Sequence, residues 1–568
     1  MYEEALFWIG FILINAVLYL PNYLLNISSS FFLPYVKEFV TTRKLGLTMS
    51  SNLDAFRYEV FLSIGMLSAR FVSSDFIENT LVVYFFLMLV FNIYQYSFRK
   101  IYEYEPNFFN DLKLIKNGFA IVWNEGKIKL LITLFLVGAL MFFLSKVVLK
   151  FFEFTNSLEL NFAFYVIGTF WAIPLIKSLF QSGLYKNYPN DAHLRYHFGL
   201  VEIYKNIQRS ITNSKIAKAR LGAKVLERRR VEDFELIEQP PNLHIIFIES
   251  YGSFYYLNEA KKALADKAYK QFQNSLSQKQ WQSVSNFSES PTLGGQSWLT
   301  YSTFLYGIKI KNNTYFENFL HDTDFSQSDS LLKIFRDHGY YNFNLNPIKP
   351  IKQIQVPYEQ MRTFYCIDEW ILNESLNFKG DTYGFGKSPP DQYSLNFAME
   401  KISLQEKKPY TFFYLTQSSH TPFISPAMVQ DWESLSSSDG RQHYHEGFLK
   451  QPATEDYYIA IKYQLDVLQE VILKWGRDND IFLLMGDHQP PVLSNYDKYG
   501  LYTPVHIISK KESFLRGFQE YGFERDIMQC RQFVKHESMY SIFLREFIKN
   551  YSKSYTKLPP YEPDGLQL

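Results

Sequence analysis

Residues 243–250 read LHIIFIES, a short apolar and β-branched run that ends in a carboxylate. Such a run suits a strand buried on both faces, as in a parallel sheet. Comparable runs recur at 410–420 (YTFFYLTQSSH), 481–488 (IFLLMGDH) and 503–509 (TPVHIIS), with helix-like segments between them at 328–339 (SDSLLKIFRDHG) and 457–476 (YYIAIKYQLDVLQEVILKWG). Strands alternating with helices predict an α/β sheet, in which ligands bind beyond the carboxyl ends of the strands. The polar residues that close these runs, Glu249, His420, Asp487 and His488, are therefore the candidate site.

Residues 290–307, SPTLGGQSWLTYSTFLYG, add a hydroxyl. Gly294 and Gly295 precede Ser297 closely, and two readings stand side by side. Ser297 caps a helix, or it sits at a helix N-terminus whose exposed N–H groups suit a phosphate. Thr292 and Thr300 are competing hydroxyls, but neither has the glycine pair directly in front of it. A lone carboxylate at a strand end is more often a cap or a solvated group. Several on strands of one sheet, with a hydroxyl nearby, make a site. Glu249, Asp487 and His488 offer hard and borderline ligands for one divalent ion, whether zinc, manganese or magnesium. Such an ion lowers the pKa of a serine and polarises a phosphoryl oxygen. His420 stands outside that ligand set, as a group to protonate a leaving oxygen or bind a substrate oxygen.

The chain of 568 residues is long enough for a small number of domains. Up to about Phe180 it is dense in Leu, Phe, Val, Ile and Tyr, and beyond that it has the mixed polarity of a soluble domain. Segments 6–25, 81–98, 130–149 and 160–180 have the length and apolarity of membrane spans, which need roughly 20 residues. Segment 58–72 is shorter and carries Arg70. Five spans are expected, the first retained because it lacks the small-residue cleavage pattern of a signal peptide. The stretch 203–230 is basic and partly amphipathic, suited to anionic headgroups or to a solvated linker, and EQPPN (238–242) marks a boundary. The expected plan is a transmembrane domain at 1–182, a juxtamembrane linker at 183–241, an α/β domain at 242–550 and a tail at 551–568. A net charge of +1 argues against nucleic acid as a partner. The two cysteines, Cys366 and Cys530, indicate neither a disulfide scaffold nor a thiolate metal site.

Taken together, FIES, the Gly-Gly hydroxyl segment, SSHTPF (418–423) and GDHQP (486–490) resemble the extracytoplasmic domain of lipoteichoic acid synthases and phosphoethanolamine transferases, within the alkaline phosphatase and sulfatase superfamily. The resemblance covers about residues 242–550, and the apolar segments before it match the polytopic helical membrane part of these enzymes. It implies a sulfatase-like catalytic domain outside the cytoplasm of a bacterial inner membrane. Glu249, Ser297, Asp487 and His488 would be the four ligands of one catalytic metal, Ser297 also the nucleophile, and His420 a substrate-contacting histidine. The implied activity moves phosphoglycerol or phosphoethanolamine from a phospholipid donor to a glycan or lipid acceptor through a covalent intermediate. The basic residues Arg43, Lys44, Arg99, Lys100, Lys113 and Lys116 fall in loops that a five-span, N-inside topology places outside, so the charge bias opposes that orientation.

The sequence departs from the family in using serine where these enzymes use threonine, and no basic residue stands out to hold the headgroup. A sulfatase is disfavoured because Ser297 is followed by Trp298, Leu299, Thr300 and Tyr301, without the Pro or Ala and the Arg of the formylglycine signal. No second Asp and His cluster supports a two-zinc phosphatase, and His443 and His445 read as a loop at the rim. The segment 380–395, GDTYGFGKSPPDQYSL, reads as a substrate-shaping loop that brings Lys387 or Asp391 to the headgroup, or as a surface turn. A non-catalytic module that kept the fold is the alternative class, and an intact ligand set weighs against it.

Overall fold

A computed structural model describes residues 2–24, 74–102, 106–157, 199–220 and 231–567, the last with short breaks at 232, 323–324, 326–327, 350–357, 386, 406–407, 438–439, 441–442, 444–452 and 495. The chain divides into two compact units. One comprises Met1–Leu112 with Val122–Thr212, the other Lys113–Ile121 with Asn213–Leu568.

The first unit is helical. Helix α1 spans Tyr2–Leu24, α2 Ser74–Tyr102, α3 Phe108–Ser157 and α4 Gly199–Arg220, of which residues 113–121 of α3 and 213–220 of α4 belong to the second unit. Apolar residues spaced three and four apart bring Phe7, Phe11, Ile14 and Leu18 against Leu81, Phe85 and Met88, with Val148, Phe151 and Phe152 completing the core. Three of the five expected spans are thus helices. The segments 58–72 and 160–180 lie outside the described residues. Among the described residues one helix is long and apolar enough to cross a membrane, Leu130–Thr155, about 39 Å at the usual rise. Its leucines and phenylalanines are largely exposed, among them Phe135, Leu136, Phe142 and Phe143. Helix α2 is less apolar for a visible reason. Its Asn92 and Gln95 are buried, Asn92 donating to the Leu18 carbonyl at 3.2 Å, and its Tyr94 hydroxyl donates to Asp111 at 2.6 Å.

The second unit is built on an eight-stranded sheet. In chain order its strands are β1 (Phe234–Leu236), β2 (Leu243–Ile248), β3 (Gln282–Glu289), β4 (Tyr341–Asn346), β5 (Glu369–Leu372), β6 (Tyr410–Leu415), β7 (Ile481–Gly486), β8 (Tyr502–Ser509), β9 (Val534–Lys535) and β10 (Ser552–Tyr555). The order across the main sheet is β5-β4-β6-β2-β7-β8-β3-β9, and β1 pairs with β10 in a separate ribbon. Residues 552–555, expected in a tail, are therefore tied back to 234–236.

Strand period explains why these runs are apolar throughout. On β2, Leu243, Ile245 and Phe247 enter one core while Ile246 and Ile248 enter the other. On β7, Ile481, Leu483 and Met485 face the first core, and Phe482 and Leu484 the second. Both sheet faces are covered, so polar alternation is absent. Strands β6, β2 and β7 are mutually parallel, as expected. Strand β8 is not. It runs antiparallel to β7 and to β3. An apolar run reports burial on two faces, which an antiparallel strand in a covered sheet shares. Two antiparallel pairings in series restore direction, so β3 runs the same way as β7. Its carboxyl end, which leads toward Ser297, opens on the same edge as those of β2, β6 and β7.

Candidate active site

At that edge four chain segments converge. Glu249 and Ser250 follow β2, Thr416 to His420 follow β6, Asp487 to Gln489 follow β7, and Ser290 to Ser297 follow β3. Central parallel strands bring the first three together, because their carboxyl ends lie side by side. Gly486 permits the approach: a Cβ there would stand 1.9 Å from the Tyr251 carbonyl oxygen.

Glu249, Asp487 and His488 are all buried and offer ligand atoms within 4.8 Å of one another. His488 Nε2 lies 3.3 Å from Asp487 Oδ2 and 3.5 Å from Glu249 Oε1. Its Nδ1 is 2.8 Å from the Gln489 carbonyl, which can only accept, so Nδ1 carries the hydrogen and Nε2 presents its lone pair to the cluster. Asp487 Oδ1 accepts the backbone N–H groups of Ser250 at 2.7 Å and His488 at 2.6 Å, whereas Oδ2 is buried without a hydrogen-bond donor. Ser250 Oγ donates to Glu249 Oε1 at 2.8 Å. The Glu249 carboxyl is pushed up to about 8, chiefly by burial and next by the Asp487 carboxylate. Two buried carboxyl groups, an orphaned carboxylate oxygen and an imidazole lone pair fit a divalent cation.

Ser297 Oγ stands 3.4 Å from Glu249 Oε2 and 3.4 Å from His488 Nε2. Ser297 opens the helix Ser297–Tyr306 but does not cap it. The N-cap is Gln296, at φ 58, directly after Gly295 at φ 64, and no side chain caps the helix. Two successive left-handed residues turn the chain so that the first helical side chain faces the cluster. Thr300 Oγ1 instead lies 3.3 Å from Ser290 Oγ and 3.4 Å from Thr292 Oγ1.

The loop that carries Ser297 is stitched to the ligand loop. Ser290 Oγ donates to the Asp487 carbonyl at 2.7 Å, and the Gln489 N–H to the Leu293 carbonyl at 2.9 Å. Gln489 Nε2 also donates to Ser253 Oγ at 2.7 Å. After β6, Thr416 Oγ1 accepts from the Glu249 N–H at 3.0 Å and Ser419 Oγ donates to the Glu249 carbonyl at 2.6 Å. His420 Nδ1 is 2.7 Å from the Thr421 carbonyl, and burial holds its pKa below the usual histidine range. The Thr421 carbonyl can only accept, so Nδ1 carries a hydrogen. Phe385 stacks on it, ring centroids 4.9 Å apart.

The structure thus brings Glu249, Ser297, Asp487 and His488 together, with His420 on a turn bonded to Glu249. Asp391 is fully buried beneath that turn, away from solvent. His443 pairs with Asp381 at 2.8 Å, and His445 lies outside the described residues. Cys366 and Cys530 are free thiols, associated with opposite cores. The supporting hydroxyls Ser290, Thr416 and Ser419 carry no spacing signal. Ser250 and Gln489 were within reach, since each adjoins a ligand inside FIES and GDHQP.

No protein-family model matches the chain, and no curated protein matches it. Among solved structures it is similar to the integral membrane lipooligosaccharide phosphoethanolamine transferase A of Neisseria meningitidis, at 11% identity over 95% of this chain and 96% of that one, TM-score 0.45. It is also similar to a protein in the alkaline phosphatase superfamily from Vibrio parahaemolyticus, at 14% identity over 61% and 76% of the two chains, TM-score 0.37. A third is the lipoteichoic acid synthase LtaP of Listeria monocytogenes, at 14% identity over 52% and 71%, TM-score 0.32.

Proposed function

We propose that the chain is a membrane-anchored transferase that moves a phosphoglycerol or phosphoethanolamine headgroup from a phospholipid to a glycan or lipid acceptor outside the cytoplasm. The observation that carries this reading is the position of Ser297 Oγ, 3.4 Å from ligand atoms of both Glu249 and His488. A hydroxyl in that place would be a nucleophile beside the cation that Glu249, Asp487 and His488 could hold, which is the arrangement for covalent phosphoryl transfer.

Glu249, Asp487, His488 and the Ser297 hydroxyl would hold one divalent ion, which supplies Lewis-acid activation of the serine and charge for the phosphoryl oxygens. Ser297 Oγ attacks phosphorus, the Oγ–P bond forms and the bond from phosphorus to the lipid oxygen breaks. The serine proton ends on the departing diacylglycerol. In the second half an acceptor hydroxyl attacks, loses its proton and restores the serine. His420, whose neutral form burial favours, passes the proton between serine and the exchanging alcohols. The exposed apolar helix Leu130–Thr155 anchors the catalytic unit to its lipid substrate, within a membrane domain of about five spans.

Mass spectrometry of the intact protein, purified from cells or incubated with vesicles of phosphatidylglycerol or phosphatidylethanolamine, tests the reading. An adduct on the peptide 290–303 is expected, and its mass names the donor. Lipid turnover with no adduct under single-turnover conditions would refute the covalent route.

A further inference from the structure

Asp391 has no part in the cluster, yet it is one of the most heavily bonded side chains in the unit. It opens the helix Asp391–Ser403 and is completely buried. Every partner is a donor. The Tyr414 hydroxyl donates to Oδ1, the Gln417 N–H reaches Oδ1 at 3.0 Å and Oδ2 at 2.9 Å, the Ser418 N–H reaches Oδ2 at 2.6 Å, and Gln464 Nε2 donates to Oδ2 at 2.5 Å. The set draws on lone pairs of both carboxylate oxygens, and these hydrogen bonds oppose the burial that pushes the Asp391 pKa above the usual aspartate range. The positive end of its own helix supports the charge. The Asp391 N–H in turn donates to Ser418 Oγ at 3.0 Å, so the contact is reciprocal.

What Asp391 grips is the turn from Thr416 to His420. The Gln417 carbonyl accepts the His420 N–H at 3.1 Å. The same turn clasps Glu249 through Thr416 and Ser419. Asp391 also ends the loop 380–390, whose Phe385 stacks on His420 and whose Gly384 lies so close to Gln417 that a Cβ would stand 2.6 Å from its side chain.

We infer that Asp391 is a positioning residue, holding the His420 turn and the Phe385 loop in one register against Glu249. The inference rests on the proton-transfer role proposed for His420. Asp391→Asn keeps the shape but places an NH2 group among donors, which leaves the Gln417 or Ser418 N–H unpaired and loosens the turn.

The full-length protein in detergent is assayed with a phospholipid donor and with bis(p-nitrophenyl) phosphate, whose leaving group departs without a proton. In Asp391→Asn, kcat with phospholipid is expected to fall about tenfold to a hundredfold with KM little changed. The burst release of the first equivalent of p-nitrophenolate and the metal content stay near wild type. Combined with His420→Ala, Asp391→Asn adds no further loss. Amide exchange at Gln417 and Ser418 rises in Asp391→Asn, a readout independent of turnover. Additive losses, or equal losses on both donors, overturn the inference. So does wild-type phospholipid turnover in Asp391→Asn while His420→Ala is impaired. Full turnover in His420→Ala removes the proposed role of His420 and this inference with it. If Asp391→Asn does not fold, Ser418→Ala and Tyr414→Phe each delete one bond to the network and should show the same pattern at smaller size. Wild-type exchange and turnover in both would overturn the inference.

Discussion

The Ser290 hydroxyl donates to the backbone carbonyl of Asp487 at 2.7 Å, tying the loop that delivers the candidate nucleophile to the loop that delivers two candidate ligands. Both residues are buried, so the bond has no water to replace it. Ser290→Ala leaves that carbonyl unpaired and should cost about 1–2 kcal/mol of stability. The rate of adduct formation on Ser297 should fall with it. Denaturant titration and single-turnover labelling check both, and an unchanged labelling rate would show that Ser297 is placed by its own loop alone.

Ser297→Ala is expected to abolish both turnover and the covalent adduct. Because Gln296 is the N-cap and the serine side chain does not cap the helix, the loss of roughly 1 kcal/mol typical of a deleted cap should not appear. Ser297→Thr keeps the hydroxyl and should keep part of the activity. Thr292→Ala and Thr300→Ala serve as controls. Turnover that survives in Ser297→Ala and vanishes in either control would mean a different hydroxyl acts.

Metal removal should reveal the strain of the cluster. Without a cation, burial and the Asp487 carboxylate both oppose ionisation of Glu249. Glu249→Gln removes one of the two acidic groups. In chelator its melting temperature should equal or exceed that of wild type. With zinc or manganese added the order should reverse, because binding stabilises the form that holds the ion. A Glu249→Gln variant that binds metal as tightly as wild type would count against the ligand set.

His506 gives the second unit an acid-sensitive core. Its ring sits among the Tyr251 hydroxyl at 3.0 Å, Ser285 Oγ at 2.7 Å and the Tyr269 hydroxyl at 3.2 Å, and burial pushes its pKa down to about 3. The unfolded histidine binds its proton near its ordinary value, so between the two values the unfolded state holds more protons. This contribution is intact above about pH 6.5 and lost as pH falls toward 3, at about 1.4 kcal/mol per unit. Urea unfolding from pH 7 to 4 should show the slope, and His506→Gln should reduce it by one proton's worth, leaving the like contribution of buried His536, whose pKa is pushed down to about 4. An identical slope in that variant would assign the acid sensitivity elsewhere.

The orientation of the chain is open to a direct measurement. A reporter active only in the cytoplasm, fused after Leu568, should be silent. A signal from it would place the second unit inside and withdraw the donor and acceptor proposed for it.

The alternation of apolar runs and helix-like segments was sufficient to predict an α/β sheet, because burial on both faces leaves its mark residue by residue, as in Leu243 to Ile248. The candidate ligands were legible for the same reason: Glu249, Asp487 and His488 each end such a run, where the chain leaves the sheet. Strand direction was not legible. The run 503–509 reads as another buried strand like its neighbours, and only the hydrogen-bond register makes it antiparallel. Nor does composition reveal that Asp391 and Ser290 serve the site, since Tyr414, Gln417 and Ser418 lie 23 or more positions from Asp391 and Asp487 lies 197 from Ser290, brought near only by the packing of separate strands and helices. Local chemistry is written in neighbouring residues, whereas the position of a hydroxyl or carboxylate against a distant backbone exists only once the sheet has closed.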